Sequence, residues 1–342
     1  MLYFSRRSRF MCLSFLSICK YIWLIVLLLT GIWCIGALYY TASWHDFLPR
    51  LPGSILFGGI VIVLIFLAVR SNIVFALDLM IIELLVIHHF LLLTPQDQFH
   101  NTQWQMPWQQ RPYITFNGSL ATLHHVRDFH YRSTDDYDSR YRTITVDINK
   151  VIHVDLAVSH WDKLEAVAHT MLSFVFSDGQ HVAFSMETRL PQGVEQNAIA
   201  GLYKQYELLP VIATENDLYK LRTNYRKEEL FLYRTNATPA QSQLILKKLL
   251  QSINEQYADP QFYNTITRNC TTSLAPMLRW IEPSFSGDIR LLINGFSDKL
   301  LYDLGFLAHR DGESFASLKA RRKVNLYLDC DKNYSAAIRK NL

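Results

Sequence analysis

The chain has 342 residues, half of them hydrophobic, and a formal charge of +4. This length is enough for one sizeable soluble domain together with an apolar region. The basic excess is small and forms no stripe of lysines and arginines with interleaved aromatic residues, so the composition argues against nucleic acid as a partner.

The N-terminal region, 1–94, is predicted to be a membrane anchor. Three apolar segments are each long enough to cross a bilayer: about 21–40, 53–69 and 72–93. The first is too long for the core of a signal peptide and has no small-residue cleavage site after it, so we interpret it as a retained helix. The third contains Asp78 and Glu83, and acidic side chains are costly inside a membrane.

The charges around the first apolar segment predict the orientation. Arg6, Arg7 and Arg9 precede it without an acidic residue among them, which places the N-terminus in the cytoplasm. Three spans then carry everything after about residue 95 to the other side of the membrane. If the third segment does not span, the rest of the chain stays in the cytoplasm.

Two further regions follow the anchor. Residues 95–112 are polar and contain prolines, and they are predicted to be a tether. Residues 113–342 are predicted to be one domain, with strand-like segments first and helices from Thr238 onwards. Thr238 is expected as a helix N-cap with Pro239 in the first helical position. Strands followed by helices indicate the α+β class.

The most informative stretch is "HTMLSFVFSDGQHVAFSMETR", residues 169–189. It reads as a hairpin with the loop Ser177-Asp178-Gly179, because a three-residue loop favours glycine in its third position. That loop pairs Phe176 with Gln180. The pairing sorts the aromatic side chains onto one face, whereas a shift by one residue would mix the two faces.

This register predicts that His169 lies opposite Glu187, with Ser185 diagonally adjacent. A carboxylate near an imidazole can select its tautomer and raise its basicity, so the group is a candidate catalytic base with its orienting partner. The alternative is an ordinary solvated cross-strand pair.

The second candidate lies in "ITRNCTTSL", residues 266–274, where Cys270 stands at an expected helix start. A thiolate is the reactive form of cysteine, and a nucleophile of this kind needs a base. Asn269, directly before it, is a candidate substrate contact. The alternatives are a small buried side chain or a disulfide with Cys330. No cysteine and histidine cluster has the spacing of a zinc site, so neither a metal nor a cofactor is expected.

The motifs "ETR" and "RTNYR" contain Arg189, Arg222 and Arg226. Arginine side chains suit phosphate or carboxylate groups, and Asn224 and Tyr225 could add hydrogen bonds to the same substrate. A surface network of salt bridges is the alternative.

From about residue 112 onwards the chain resembles the Lnb N-terminal periplasmic domain family. The resemblance rests on "VRDFHYRSTDDY", "VDLAVSHW", "AHTMLSFVFSDGQHVAFSMETR", "YKQYELLPVIATENDLYKLRTNYR", "LFLYRT" and "FYNTITRNCTTS". It implies a permuted papain-like (NlpC-like) domain, with an antiparallel sheet packed on helices. It also implies Cys270 as nucleophile, His169 as base, and Glu187 or Ser185 as third member.

Lnb itself is a lipoprotein N-acyltransferase of bacteria. The three apolar segments predict a multi-pass membrane protein, and the resemblance implies that it lies in the bacterial inner membrane with a periplasmic C-terminal domain that acts on membrane lipids and on lipoproteins. Two alternatives remain open: a cell-envelope thiol hydrolase (amidase or peptidase) of the same fold, and a non-catalytic membrane-bound binding module. A wide, water-accessible cleft would favour the hydrolase, an apolar groove would favour acyl transfer, and separation of Cys270 from His169 would favour the binding module.

Overall fold

A computed structural model describes residues 6–40, 50–70, 74–161, 165–282, 288–324, 334–340 and 342. The chain divides into two compact units. One contains Met1–His100 and Tyr203–Gln205, and the other contains Asn101–Leu202 and Tyr206–Leu342.

The first unit is built from long apolar helices: α1 (Arg6–Tyr40), α2 (Arg50–Arg70) and α3 (Val74–Leu92). Among the described residues, these three helices contain segments long and apolar enough to cross a membrane, with mean hydropathies of 2.3, 2.5 and 2.0 in chain order. The three predicted apolar segments are therefore helical, except that Leu93 follows the end of α3 and residues 72 and 73 lie outside the described part of the chain.

The two acidic residues of α3 differ in their surroundings. Glu83 is buried against the neighbouring helices, and its carboxylate accepts a hydrogen bond from the Thr30 hydroxyl of α1 at 2.5 Å. Asp78 is exposed near the start of the helix. A hydrogen-bonding partner lowers the cost of a polar group in an apolar bundle, so Glu83 is compatible with a spanning helix.

The segment predicted as a tether contains a short helix, α4 (Pro95–Gln98), and a 3-10 turn, Met106–Trp108. The second half of this segment pairs with residues of the second unit that follow β8. The Gln105 amide donates to the Leu190 carbonyl at 3.0 Å, and Trp104 forms an isolated bridge with Pro191. This half of the segment is therefore part of the folded domain.

The strands of the second unit, in chain order, are β1 (Tyr113–Asn117), β2 (Leu120–Arg127), β3 (His130–Tyr131), β4 (Tyr137–Asp138), β5 (Tyr141–Asp147), β6 (Val151–His160), β7 (Ala168–Phe176), β8 (His181–Arg189), β9 (Glu207–Ala213) and β10 (Glu229–Arg234). The main sheet has the order β1-β2-β9-β8-β7-β6-β10, with β5 also paired to β2, while β3 and β4 pair with each other. The α+β class is confirmed. The sheet is mixed rather than wholly antiparallel, because β2 and β9 run parallel.

The helices of this unit are α5 (Glu215–Lys220), α6 (Pro239–Ala258), α7 (Cys270–Leu274), α8 (Pro276–Ile281), α9 (Ser297–Asp303), α10 (Phe315–Arg322) and α11 (Tyr334–Ala337). Helix α6 begins as predicted. The Thr238 side chain accepts from the Gln241 amide, Gln241 closes a capping box, and Pro239 is the first helical residue.

Helices cover both faces of the sheet. On one face, buried residues of α6, α7 and α8 share a core with Phe174 and Phe184. On the other, residues of α5 and α11 share a core with Met171 and Ala183. Residues 174 and 171 face opposite ways because side chains alternate along a strand. This alternation decides which candidate site residues share a face.

Candidate functional site

The hairpin that carries His169 has the predicted register. The ladder between β7 and β8 pairs Met171 with Ser185 and continues in the same register to Val175 and His181. The loop closes through a hydrogen bond from the Gly179 amide to the Phe176 carbonyl, and Gly179 has φ +86°, a conformation that favours glycine.

The register brings three of the predicted site residues together. The His169 Nε2 atom lies 2.6 Å from the Ser185 hydroxyl oxygen. Ser185 donates to the Glu187 carboxylate at 3.2 Å, and His169 Nε2 lies 4.0 Å from the same carboxylate. The paired ladder ends at Met171 and Ser185. His169 therefore lies where β7 and β8 separate.

This chain of hydrogen bonds also assigns the tautomer of His169. An ionised Glu187 can only accept, so the single hydroxyl proton of Ser185 is directed to it. The Ser185 oxygen then accepts from His169 Nε2–H. In the neutral ring, Nδ1 carries the lone pair that can accept a proton.

Glu187 is the centre of a buried polar cluster. Its carboxylate accepts from Trp108 Nε1 at 2.7 Å and from Arg222 Nη2 at 3.3 Å, and Arg127 Nη1 lies 3.7 Å away. Burial raises the pKa of this carboxyl group, but the charges of Arg127 and Arg222 outweigh burial and bring the pKa below its ordinary value. Glu187 is therefore ionised at neutral pH.

The surroundings of His169 favour its neutral form. Burial lowers the pKa of the imidazole to about 3, and the nearby Arg222 charge acts in the same direction, whereas Glu187 opposes them. A neutral imidazole can accept a proton but is a weak base at that pKa.

Cys270 is the first residue of α7, and Asn269 is the N-cap of that helix. The Asn269 side-chain oxygen accepts from the amides of Thr271 and Thr272, and its nitrogen donates to the Thr265 carbonyl. The side chain is buried and its hydrogen-bonding groups are used within the protein. The structure thus gives Asn269 a capping role where the sequence predicted a substrate contact.

The Cys270 sulfur contacts polar groups of Ala168, Thr271 and Asn294. It lies 3.8 Å from the Ala168 carbonyl oxygen, 3.8 Å from the Thr271 hydroxyl and 3.5 Å from the Asn294 side-chain nitrogen. The side chain is 5% exposed and is a free thiol. Cys330, the partner in the alternative disulfide, lies outside the described residues.

The roles of nucleophile and base imply a hydrogen bond between Cys270 and His169, but among the described residues the two side chains form none. This hydrogen bond does not form because side chains alternate between the two faces of β7. Helix α7 contacts β7 through Thr271 and Thr170, whose hydroxyls lie 2.8 Å apart, and Thr170 faces away from His169. The His169 ring is turned towards Ser185 instead. Cys270 and His169 remain neighbours, because the sulfur contacts the residue before His169.

An apolar cavity lies on the Thr170 side of the sheet, beside the proposed nucleophile. Its apolar lining includes Leu156, Leu172, Leu274, Met277, Leu301 and Phe306. The hydroxyls of Thr170, Thr271 and Ser297 also line it, and they are satisfied by one another at 2.8 Å and 3.2 Å. A cavity with this lining suits a hydrocarbon ligand.

Arg189 is not available as a substrate clamp. Its guanidinium donates to the carbonyls of Trp108 and Gln109 and to the Glu207 carboxylate, and it stacks on the Trp104 ring with a centroid distance of 4.2 Å. The side chain is buried. Arg189 therefore has a structural role: it holds the 3-10 turn Met106–Trp108 against β8.

The "RTNYR" motif forms a π-helical turn, Leu221–Tyr225. Tyr225 donates to a main-chain carbonyl, and Asn224 accepts from the adjacent Thr223 hydroxyl. Arg222 is buried against Glu187. Arg226 is 40% exposed on its side chain and, together with Arg222, lines a polar pocket that reaches Glu187.

Sequence reasoning missed Trp108, Arg127 and Asn294. Arg127 occurs in one of the family-like motifs, but its separation from Glu187 in the chain gave no sign of their contact. Nothing in the sequence around Asn294 marks it. Within the described residues, no three histidine, cysteine, aspartate or glutamate side chains gather in a way that could hold a metal ion.

Residues 137–295 match the family model of the Lnb N-terminal periplasmic domain. The match covers just under half of the chain, and the second unit is similar to this family over that range. The matched range includes His169, Ser185, Glu187, Cys270 and Asn294. No curated protein and no solved structure matches the chain significantly. The Lnb N-terminal periplasmic domain and the three apolar helices together indicate a membrane-anchored protein with a periplasmic domain.

Proposed function

We propose that this Lnb-domain protein is a multi-pass inner-membrane cysteine acyltransferase, which moves an acyl chain from a membrane lipid to an amine, such as that of a lipoprotein. The observation that carries the proposal is the position of Cys270 beside the apolar cavity. Thr271, the next residue, lines the cavity and contacts the Cys270 sulfur. An acyl chain in the cavity would bring its carbonyl carbon to the thiol.

The first half-reaction forms a thioester. The Cys270 thiol loses its proton to His169, and the sulfur attacks the ester carbonyl of the lipid. As the carbon–sulfur bond forms and the ester bond breaks, the lysolipid alkoxide takes the proton from His169. The second half-reaction is the attack of an amine on the thioester, which forms an amide and returns the thiol.

His169 is the proposed base and acts through Nδ1, although its lowered pKa makes it a weak base in this structure. Its Nε2 is committed to Ser185, so Nδ1 is the atom that accepts the proton. A bridging water or a tightening of the site on substrate binding is required, because the thiol and the ring are not hydrogen-bonded in this structure. Ser185 and Glu187 act on the ring orientation.

The polar pocket lies on the His169 face of the sheet, opposite the apolar cavity, and supports a place for an anionic group of the acyl acceptor. Arg226 is its partly exposed arginine, and Arg222 lies behind it against Glu187. We propose Arg226 as the phosphate or carboxylate contact, with Arg222 contributing charge to the same pocket. Asn224 and Tyr225 shape the turn that holds both arginines.

The hydrolase alternative receives less support, because a buried thiol beside an apolar cavity is not a wide aqueous cleft. The binding-module alternative is favoured by the missing hydrogen bond between Cys270 and His169. Substrate turnover separates these functions directly.

The test supplies phospholipid vesicles and a synthetic diacylglyceryl-cysteine peptide to the purified full chain in detergent. Acylated peptide is expected from the wild type and from the matched control Cys19→Ser. Cys270→Ser should lose at least about a thousandfold of this rate. Release of free fatty acid without acylated peptide would identify a hydrolase, and an unaltered rate in Cys270→Ser would remove the proposal.

A further inference from the structure

Asn294 occupies a gap in the sheet at the start of β7, where β8 no longer pairs with β7. It begins the 3-10 turn Asn294–Phe296. Its side-chain oxygen accepts from the Ala168 amide at 3.1 Å, and its side-chain nitrogen donates to the Cys270 sulfur at 3.5 Å. One amide group therefore joins the strand to the thiol.

The gap exists because β8 leaves the ladder before this point. The last pair between β7 and β8 is Met171 with Ser185, so Ala168 has no partner from β8. The Ala168 amide is satisfied by Asn294, and its carbonyl is contacted by Cys270. The Asn294 side chain thus replaces part of a missing strand.

The orientation of this amide is determined by its partners. The Ala168 main-chain N–H is a donor, so the oxygen of Asn294 must face it. The NH₂ group then has to face the sulfur. Cys270 therefore receives a directed N–H donor.

The turn is held close to the strand by its second residue. The Gly295 amide donates to the Ala166 carbonyl at 3.1 Å. A Cβ atom at Gly295 would lie 1.9 Å from the Glu165 carbonyl oxygen, so only glycine permits this approach. Gly295 fixes the distance from which Asn294 reaches both partners.

We propose that Asn294 is a positioning residue that stabilises the thiolate of Cys270 and aims the sulfur at the end of β7. A buried thiolate needs a hydrogen-bond donor to replace the water it has lost, and Asn294 supplies one. The inference rests on the proposed function for its purpose, but the hydrogen bond acts on the thiol whether or not a substrate is present.

The test is the alkylation rate of Cys270 by iodoacetamide across pH, followed by peptide mass mapping on the full chain in detergent. Asn294→Asp keeps the oxygen that binds the Ala168 amide, replaces the donor to sulfur with a carboxylate oxygen, and adds a negative charge beside the thiol. The matched control is Asn117→Asp, an exposed asparagine at the end of β1.

At pH 7 we expect Asn294→Asp to react roughly tenfold more slowly than the wild type, because a donor to the thiolate is lost and a negative charge is added beside it. The difference should shrink as the pH rises, since alkali forms the thiolate without help, and Asn117→Asp should follow the wild type. A purely structural role would change the rate equally at all pH values. Equal rates in Asn294→Asp and wild type would overturn the proposal.

The neutral variant Asn294→Ser shortens the side chain without adding a charge, so it separates the lost donor from the added charge and also serves if Asn294→Asp fails to fold. An unchanged pH profile in Asn294→Ser would equally overturn the proposal. Failure of the proposed function has a different signature. It would appear as acyl transfer by Cys270→Ser, whereas the alkylation profile uses no lipid and no acceptor.

Discussion

The Cys270 sulfur lies 3.8 Å from the main-chain oxygen of Ala168, the first residue of β7. This contact connects the start of α7 to the strand end where His169 meets Ser185 and Glu187. The proposed nucleophile and base therefore belong to one region, although they are not hydrogen-bonded to each other.

The low pKa of His169 predicts how stability depends on pH. The unfolded chain takes up a proton on this residue near pH 6.5, whereas the folded protein resists it until about pH 3. The unfolded state therefore binds more protons between these values. The free energy of unfolding should decrease as the pH falls, with a slope of up to about 1.4 kcal/mol per pH unit from this group.

The measurement compares thermal unfolding of the wild type and of His169→Gln between pH 6.5 and 4.5. Glutamine cannot titrate, so the variant should lose less stability across this window. His130→Gln, at an exposed position in β3, is the control and should follow the wild type. Parallel curves for wild type and His169→Gln would show that the imidazole is not held neutral.

Glu187→Gln should destabilise the soluble domain by about 3 kcal/mol, because Arg127 and Arg222 would lose a buried counter-charge. The control is Glu229→Gln, which breaks an exposed pair with Lys323 and should cost less than about 1 kcal/mol. Urea unfolding monitored by tryptophan fluorescence gives both values. A Glu187→Gln protein as stable as the control would show that the cluster is not held by its charge.

The local parts of this site were predictable from sequence. Gly179 in the third loop position determined the β7–β8 register, and that register grouped His169, Ser185 and Glu187. Thr238 and Pro239 marked the start of α6 in the same way. Each of these signals is local in the sequence and depends on backbone conformation or side-chain alternation.

The other parts of the site depend on contacts between segments that are far apart in the sequence. Trp108 precedes β1 and Arg127 is the last residue of β2, and both reach Glu187. The parallel pairing of β2 with β9 brings this part of the chain to the site. The sequence also carried no signal for the path of α7 over β7. The predicted contact between Cys270 and His169 assumed that path, and Asn294 went unnoticed for the same reason.

The apolar cavity predicts a preference for chain length. Ala275 lines it, so Ala275→Phe should shorten the space for an acyl chain. Transfer from long-chain phospholipids should fall roughly tenfold or more, while transfer from short-chain phospholipids should change by less than about twofold. Ala320→Phe, at an exposed position of α10, is the matched control. Equal losses for both chain lengths would place the acyl chain elsewhere.

The three apolar helices predict a periplasmic C-terminus in an inner-membrane protein. Alkaline phosphatase fused after Leu342 should be active, and the same fusion lacking Val74–Leu92 should be inactive, because the number of spans changes by one. A silent phosphatase in the full-length fusion, together with a fluorescent cytoplasmic reporter, would assign only two spans.

The most direct test of the proposed acyl transfer is intact-mass analysis after incubation of the full chain with phospholipid vesicles and no acceptor. We predict one acyl adduct, mapped to Cys270, removed by hydroxylamine, present in Cys19→Ser and absent from Cys270→Ser. A folded wild-type protein that carries no adduct, or an adduct that persists in Cys270→Ser, would contradict the account.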